Sequence, residues 1–424
     1  MSVKTILEKL DLVLGKEDAD YLKTNSDRMV SLLEKEIAKN KISADIFLGG
    51  SFAKNTLIRS KSYDIDIFIR FDWKYENLSG ILEKITKKIA KKGGYKIKKI
   101  HGSRDYFRVW KERKAIFEIV PVTRIKKPKE ARNVTDLSYF HVGYVKRRMS
   151  KKMARETIIA KQFCKAQGIY GAESFINGFS GYGLECLIIY YKSFEKMLKE
   201  IAKIKERTII DPEKLFKKKT DVIFEMNESK LNSPIILVDP TWKERNALAA
   251  LNWESFRKFQ EAATKFLKKP STSFFEIKEV DKKEIMEEAR ARKAEFADIW
   301  IETDRQPGDI AGTKLKKFGD FAMREMSKYF EIARKEFDYS GGKAADIYII
   351  AKPKKELIKS GPPAKMDMHA KAFRKENKNV FEKSGILHAR VRIDFSAKEF
   401  LIKFKKDYAK TIREMGITKL EIKN

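Results

Sequence analysis

The chain has 424 residues, and its 92 Lys and Arg against 60 Asp and Glu give a formal net charge of +32. At ~150 residues per domain this length predicts about three domains, and the charge surplus favours a polyanionic partner such as nucleic acid. Two cysteines and four histidines exclude a disulfide framework and argue against a structural zinc site. No apolar run approaches the ~18 residues of a membrane span. We therefore expect a cytoplasmic protein without a membrane partner.

The first 135 residues predict a small domain in which strands and helices alternate. Helical spacing of apolar residues predicts helices at 22–39 and 77–91, and a third, short helix starts at Ser51. Strands are predicted at 44–48, 63–71, 96–100, 105–110 and 115–122. This order of elements indicates a mixed sheet.

Beyond residue 130 the pattern becomes mostly helical and then alternates again. Helices are predicted at 152–167, 184–201 and 252–268, and Gly168 can end the first of them in the left-handed conformation. The third part predicts strands at 296–302, 345–351 and 387–395, helices at 314–337 and 397–414, and a basic segment at 352–385. The chain is therefore predicted to be a multidomain α+β protein.

Two carboxylates stand on one face of the predicted strand 63–71. Asp64 and Asp66 are two residues apart, so both side chains point the same way. They repel each other unless a cation lies between them, and Mg²⁺ favours sites with few carboxylates plus substrate phosphates. Glu118 lies in an apolar strand, where an ionised side chain is costly without a charge partner. We expect Glu118 to complete this metal site.

The turn Gly49-Gly50-Ser51 precedes the carboxylate strand. Its backbone N–H groups and hydroxyl can bind a triphosphate. Alone, an Asp-x-Asp pair is usually a solvated strand face, and Gly-Gly is most often only a turn. The order of turn, serine, two-carboxylate strand and third carboxylate strand favours metal-dependent nucleotide chemistry. No Gly-Lys-Ser/Thr follows the turn, which argues against a Walker-type NTPase.

These motifs resemble those of the archaeal-type (class I) CCA-adding enzymes, a family of tRNA nucleotidyltransferases. Residues 50–56 look like that family's Gly-Ser-Tyr-Ala-Arg-x-Thr, residues 64–66 like its Glu-Ile-Asp and residues 118–121 like its Asp-Val-Val-Pro. Further blocks resemble the family in the same order at 136–141, 168–173, 178–182, 238–252 and 361–373. The first and third carboxylates differ in length from the family's, and Lys54 replaces an Arg, which keeps the charge but loses bidentate geometry.

The resemblance implies a function and a set of site residues. The implied activity is addition and repair of the 3′-terminal CCA of tRNA from CTP and ATP, without a nucleic-acid template, by Mg²⁺ catalysis that releases pyrophosphate. The implied catalytic metal ligands are Asp64, Asp66 and Glu118. The implied nucleotide-binding residues are Gly50, Ser51, Lys54, His141, Lys161, Tyr170 and Arg245. Judged alone, these side chains would more often be structural, solvated or paired at the surface.

The resemblance also implies an organisation and leaves alternatives open. It predicts a nucleotidyltransferase domain with a mixed sheet at 1–135, a helical nucleotide-recognition domain at 136–270, an α/β tRNA-binding body and tail at 271–424, and a possible homodimer. We expect residues 352–385 and the final helices to hold the tRNA arm. The alternatives are a poly(A)-type RNA-tailing enzyme and a non-catalytic RNA-binding relative. A small-molecule nucleotidyltransferase fits neither the length nor the charge.

Overall fold

The computed structural model describes residues 2–423 and divides into two compact units, one ending at Ile277 and the other beginning at Lys278. The division into three domains stays a prediction. No helix within residues 2–423 is long and apolar enough to cross a membrane.

The first part of unit 1 is a five-stranded mixed sheet with helices on one face. Its helices are α1 (Val3–Lys9), α2 (Lys16–Lys39), α3 (Gly50–Ala53) and α4 (Leu78–Gly93). Its strands are β1 (Ala44–Leu48), β2 (Tyr63–Phe71), β3 (Lys96–Ile100), β4 (Tyr106–Trp110) and β5 (Ala115–Thr123). The strand order is β1-β2-β5-β4-β3, and only β2 and β5 run parallel. The mixed sheet predicted from the sequence is confirmed.

Alternation along β2 places its apolar residues on the inner face. Ile65, Ile67 and Ile69 are fully buried in one core with residues of α2 and α4. The opposite face therefore carries the carboxylates. The parallel register sets Asp66 beside Glu118, so the two predicted acidic strands are direct neighbours.

The rest of unit 1 is mainly helical. Its helices are α5 (Ser138–Arg148), α6 (Lys151–Ala166), α7 (Gly181–Tyr191), α8 (Phe194–Ala202), α9 (Lys219–Glu225) and α10 (Trp253–Lys268). A three-stranded sheet that the sequence did not predict is formed by β6 (Thr208–Ile210), β7 (Ile235–Asp239) and β8 (Trp242–Asn246). The continuous helix predicted at 184–201 is wrong. Lys192 takes a left-handed conformation with φ +70° and ends α7, and Ser193 then caps α8.

Unit 2 contains two antiparallel sheets. Its helices are α11 (Lys282–Ala291), α12 (Asp309–Met326), α13 (Asp367–Glu376), α14 (Ala397–Asp407) and α15 (Ala409–Glu414). The four-stranded sheet has the order β10-β11-β9-β15 and contains β9 (Glu295–Glu302), β10 (Phe330–Asp338), β11 (Ala344–Pro353) and β15 (Lys419–Lys423). The three-stranded sheet has the order β12-β14-β13 and contains β12 (Glu356–Pro363), β13 (Asn379–Lys383) and β14 (Ile386–Arg392).

Two predicted helices of this unit need correction. The helix predicted at 314–337 ends at Met326, because the following residues pair with β11 as an edge strand. The helix predicted at 397–414 is interrupted at Tyr408. In the first case pairing with β11 overrode the helical spacing of the apolar residues. In the second, the backbone of Tyr408 leaves the helical conformation, with φ −102° and ψ 18°.

Candidate active site

The carboxylate face of the five-stranded sheet, which carries Asp64, Asp66 and Glu118, is the core of the site. Asp64 is exposed and Asp66 is half-buried on β2. Neither carboxylate has a hydrogen bond or ion pair to any residue within 2–423. The pKa of Asp66 is raised to about 7, mainly by burial and also by the charges of Glu118 and Asp64, against the opposing charges of Lys54 and Lys161.

These two carboxylates fit a divalent cation. A half-buried acid whose ionised form is disfavoured by its acidic neighbours is stabilised when a cation binds between them, and carboxylate oxygens are ligands that Mg²⁺ prefers. The fit rests on two points. The donors are carboxylate oxygens, and neither Asp64 nor Asp66 has a hydrogen-bond or ion-pair partner within residues 2–423.

Glu118 is already paired. Nε and Nη2 of Arg108 donate to Glu118 Oε1 at 2.7 and 2.6 Å, because the antiparallel register of β4 and β5 places the two residues opposite each other. Within residues 2–423, no three His, Cys, Asp or Glu side chains are grouped closely enough to hold a metal ion. The role of Glu118 as third ligand stays a prediction. Both bonds from Arg108 go to Oε1, and Oε2 has no hydrogen-bond partner within residues 2–423.

Gly50 brings the turn against the carboxylate face. It has φ +58°, and a Cβ at this position would lie 1.6 Å from Asp66 Oδ2. The backbone N–H of Gly49 donates to the Asp66 carbonyl at 2.9 Å, which ties the turn to β2. Ser51 follows in α3, half-buried, and its hydroxyl makes no hydrogen bond with the described residues. Only glycine fits this approach, because it lacks the colliding atom and tolerates positive φ.

Two predicted nucleotide-binding lysines meet on one buried glutamate, which the sequence analysis missed. Nζ of Lys54 donates to Glu185 Oε2 at 2.6 Å, and Nζ of Lys161 donates to Oε1 at 2.8 Å. The Thr56 hydroxyl donates to Oε1 at 2.8 Å and accepts from Lys161 at 2.8 Å. We call these four residues the lysine cluster. Burial alone would raise the Glu185 pKa, but Lys161 and Lys54 outweigh it and lower the pKa to about 2.

Tyr170 lies beside the lysine cluster. A Cβ at Gly181, the first residue of α7, would lie 2.9 Å from the Tyr170 hydroxyl and 3.7 Å from Cε of Lys161. Both side chains therefore converge on the start of α7. The helix that carries Lys161 ends before Gly168, whose φ of +67° confirms the predicted left-handed residue.

His141 and Arg245 meet on a second buried acid. Asp239 Oδ2 accepts from His141 Nε2 at 3.1 Å and from Arg245 Nη1 at 2.7 Å. Oδ1 accepts from the Tyr182 hydroxyl at 2.9 Å and from the backbone and side chain of Thr241, both at 2.8 Å. The rings of His141 and Tyr182 stack with centroids 3.9 Å apart. These five residues form what we call the aspartate cluster.

The three groups lie close together in unit 1. The charge of Lys54 lowers the pKa of Asp66, which burial raises, and it also adds to the lowering of the His141 pKa by burial. Tyr182, which donates to Asp239, and Glu185, which binds Lys54, stand three residues apart on α7, so the aspartate cluster and the lysine cluster are neighbours. Glu185 joins Lys54 to Lys161, and Asp239 joins His141 to Arg245. The other six predicted residues belong to the carboxylate face, the glycine turn and the start of α7. Glu185 and Asp239 lie in apolar runs, the same signal that pointed to Glu118.

Two family models match unit 1. Residues 1–139 match the Second Messenger Oligonucleotide or Dinucleotide Synthetase domain, and residues 155–276 match the second domain of tRNA nucleotidyltransferase. The first match covers the five-stranded sheet with its carboxylates. The second covers Lys161, Tyr170, Glu185, Asp239 and Arg245, whereas His141 lies before its first residue.

Curated relatives match most of the chain. The CCA-adding enzyme of Nanoarchaeum equitans is 33% identical over 387 residues, which covers 90% of this chain and 91% of that protein. The CCA-adding enzyme of Methanosarcina mazei is 29% identical and covers 80% of this chain and 74% of that protein.

Solved structures match the fold. A structure of Cid1 in complex with its short product ApU aligns with a TM-score of 0.51 at 10% identity, over 66% of this chain and 100% of that one. At this identity the likeness shows a shared fold alone.

Proposed function

The chain belongs to the archaeal CCA-adding enzymes, and from this premise we propose how its own residues act in nucleotide addition to tRNA. The enzyme is a nucleotidyltransferase that adds the 3′-terminal CCA to tRNA. The substrates that we propose are CTP and ATP. In each step the terminal ribose oxygen of the RNA bonds to the α-phosphorus, the bond to the β-phosphate breaks, the hydroxyl proton is lost and pyrophosphate leaves.

One observation carries this proposal. Asp64 and Asp66, which have no hydrogen-bond or ion-pair partner within residues 2–423, stand beside a glycine turn. The charges of Lys54, which follows α3, and Lys161 in α6 act on the same carboxylate of Asp66. Acids and cations have opposite tasks in nucleotidyl transfer, since the acids bind metal and the cations bind phosphate. Their juxtaposition is what a metal-bound triphosphate requires.

The cation that we propose for the carboxylate face is Mg²⁺, held by Asp64 and Asp66, with Glu118 as the third ligand. When bound, it would supply charge neutralisation on the triphosphate and activation of the attacking hydroxyl. The lysine cluster holds two ammonium groups against one carboxylate and keeps a formal charge of +1 beside the site. We propose that Lys54 and Lys161 attract and orient the phosphates, with Ser51 and Tyr170 as hydroxyl donors. Formation of a homodimer stays a prediction.

The test is incubation of the protein with tRNA lacking its 3′ CCA, labelled CTP or ATP, and Mg²⁺. Incorporation of two C followed by one A supports the proposed function. Long A tails would indicate the poly(A)-type alternative. RNA binding without incorporation would indicate the non-catalytic relative, and either result would contradict the proposal.

Gly50→Ala tests the close approach at the turn. We expect activity to fall by ~10²-fold or more, because the added methyl group displaces the Asp66 carboxylate and misplaced reacting groups are costly. Gly94→Ala is the matched control. Gly94 has φ +66° at the end of α4 and nothing within 4 Å of an added Cβ, so it carries the same backbone strain without the collision. Both variants should lose stability, but only Gly50→Ala should lose CCA addition; equal activities would contradict the argument.

The three-stranded sheet of unit 2 offers a face for the tRNA. Helix α13 covers one side, where Ala370 and Phe373 pack on Leu387 and Ala389. The other side of the sheet carries the side chains of Phe381, His388, Arg390 and Arg392. We call these four residues the aromatic-basic face. The Phe381 and His388 rings stack at 5.5 Å, and the Arg390 guanidinium lies 5.4 Å from the Phe381 ring. Stacked rings beside exposed cations suit RNA, whose bases stack and whose phosphates attract charge.

We expect Phe381→Ala to weaken tRNA binding by ~5- to 150-fold, since stacking of one base contributes about 1–3 kcal/mol. Arg392→Ala should reduce the slope of log affinity against log salt by about 1, as expected for one lost phosphate contact. The control is Arg292→Ala, because that cation already pairs with Glu288. Filter binding of tRNA at several salt concentrations measures both effects. Unchanged affinity in Phe381→Ala would remove this face from the proposed tRNA contact.

A further inference from the structure

A cavity of about 560 Å³ lies beside the lysine cluster and is not used by the site described above. Its size falls within the ~300–1,000 Å³ range of small-ligand sites. Three segments of unit 1 enclose most of it, namely the residues just after α3, the end of α5 and the first two turns of α6. We call it the basic cavity.

The basic cavity begins at the lysine cluster. Lys54 belongs to that cluster and also lines the cavity. On α6, Ile158 lines the cavity and Lys161 follows three residues later, so both stand on one side of the helix, about 4.5 Å apart along its axis. The cavity therefore extends from the lysine cluster towards the start of α6, where Lys151 stands ~15 Å from Lys161 along the helix.

The charges around the cavity are of one sign. Its cations are Lys54, Lys146, Lys151 and Arg155, and no Asp or Glu is among its lining residues in the described part of the chain. Lys146 and Lys151 have no hydrogen bond or ion pair with any residue in 2–423. Over the same residues only Nη2 of Arg155 is engaged, and it donates to the Leu7 carbonyl at 3.0 Å. A cleft with charges of one sign and apolar walls concentrates their field and attracts counter-ions.

The other lining residues indicate which anion fits. They are mostly apolar and none is aromatic, so a nucleotide base has no ring to stack on. In an RNA strand each phosphate carries a single charge, and riboses keep successive phosphates apart. Pyrophosphate instead carries several charges in one small ion, which suits a cavity surrounded by cations.

Pyrophosphate is also released at this place. In the proposed function Lys54 and Lys161 bind the nucleotide phosphates, so the leaving ion is formed in contact with the lysine cluster. That cluster has a formal charge of only +1, because Glu185 offsets one of its two ammonium groups. The basic cavity adds three further cations without a carboxylate, and the ion is therefore attracted from the cluster into the cavity.

We propose that the basic cavity is a second pyrophosphate site, which takes the leaving ion from the lysine cluster and frees that cluster for the next nucleotide. This inference rests on the proposed function and goes beyond it, since it concerns release of the product and not the transfer. It requires that a nucleotide in the lysine cluster and a pyrophosphate ion in the cavity can be bound at the same time.

The test is equilibrium binding of pyrophosphate to protein that already holds a nucleotide. The wild type is saturated with Mg²⁺ and a CTP analogue whose α–β bridging oxygen is replaced by a methylene group, and magnesium pyrophosphate is titrated in by calorimetry. Pyrophosphate should still bind beside the analogue, and in steady-state nucleotide addition part of its inhibition should persist at high CTP. No binding beside the analogue, or inhibition that CTP relieves completely, would overturn the inference.

Lys146→Ala and Lys151→Ala identify the site. Neither side chain makes a bond in the free protein, so we expect both variants to fold. Each should weaken pyrophosphate binding beside the analogue by at least ~10-fold, because hydrogen bonds between charged groups are the strong ones. Lys152→Ala is the matched control. Lys152 is the neighbouring residue of α6, exposed and outside the lining, so its loss removes the same charge and should leave this binding unchanged.

Equal losses in Lys151→Ala and Lys152→Ala would show a general effect of charge and would overturn the inference. Filter binding of tRNA tests RNA as the occupant. Weaker tRNA binding by Lys146→Ala and Lys151→Ala with unchanged pyrophosphate binding would assign the cavity to RNA phosphates and contradict the proposal. A wild-type protein that binds pyrophosphate beside the analogue but adds no nucleotide to tRNA would contradict the proposed function alone.

Discussion

An Asp66→Asn protein is expected to bind tRNA as tightly as the wild type and to add nucleotides at least ~10³-fold more slowly, because the metal-holding charge is lost where the reaction develops charge. The same change should stabilise the protein in the absence of metal. Asp66 is a half-buried acid whose pKa is raised by burial and by Glu118, so its ionised form destabilises the metal-free fold, and a neutral amide removes that repulsion.

Lower activity together with higher metal-free stability would distinguish a functional role of Asp66 from a structural one. The measurements are single-turnover CCA addition, calorimetric Mg²⁺ titration, and thermal unfolding with EDTA. Asp45→Asn serves as the control. Asp45 is on β1 of the same sheet and pairs with Arg70 and Arg124, so its loss should reduce stability slightly and leave Mg²⁺ binding unchanged. Retained turnover in Asp66→Asn would refute its assignment as a metal ligand.

Glu185→Gln is expected to destabilise unit 1 by about 3–5 kcal/mol, the usual effect of removing one partner from a buried ion pair. The change leaves the ammonium groups of Lys54 and Lys161 close together, with side chains only 10% and 3% exposed and no anion between them. Activity should fall as well, because both lysines lose the contact that orients them. Urea unfolding near pH 7 measures the stability.

The pH dependence provides an internal check on this prediction. The Glu185 pKa is lowered to about 2 in the folded protein from its ordinary value of 4.5, so its stabilising contribution is complete above pH 4.5 and is lost as the pH falls towards 2. The stability gap between wild type and Glu185→Gln should narrow over that range. Glu195→Gln, which removes an exposed helix pair with Lys199, should cost less than ~0.5 kcal/mol. Equal stabilities of wild type and Glu185→Gln at pH 7 would contradict the account of the lysine cluster.

Local patterns in the sequence were sufficient for the mixed sheet and its acidic face. Alternation along 63–71 placed Asp64 and Asp66 on one side, and the apolar run around Glu118 identified the neighbouring acidic strand. They also identified Gly50 and the left-handed Gly168. These features depend on residues close together in the chain, where side-chain period and backbone preference leave few choices. The family resemblance supplied the rest of the site residues and their roles, which stay predictions.

Only the tertiary structure decided how the charges are partnered. Glu185 lies 131 residues from Lys54, and Asp239 lies 98 residues from His141, so no local pattern could connect them. Distant pairing also decided β10. Local spacing predicted a helix there, but pairing with β11 makes it a strand. Arg108 engages Glu118 because of a cross-strand register that the sequence does not display. A charge inside a protein is stable only with a partner, and which partner it finds depends on the folding of distant segments together.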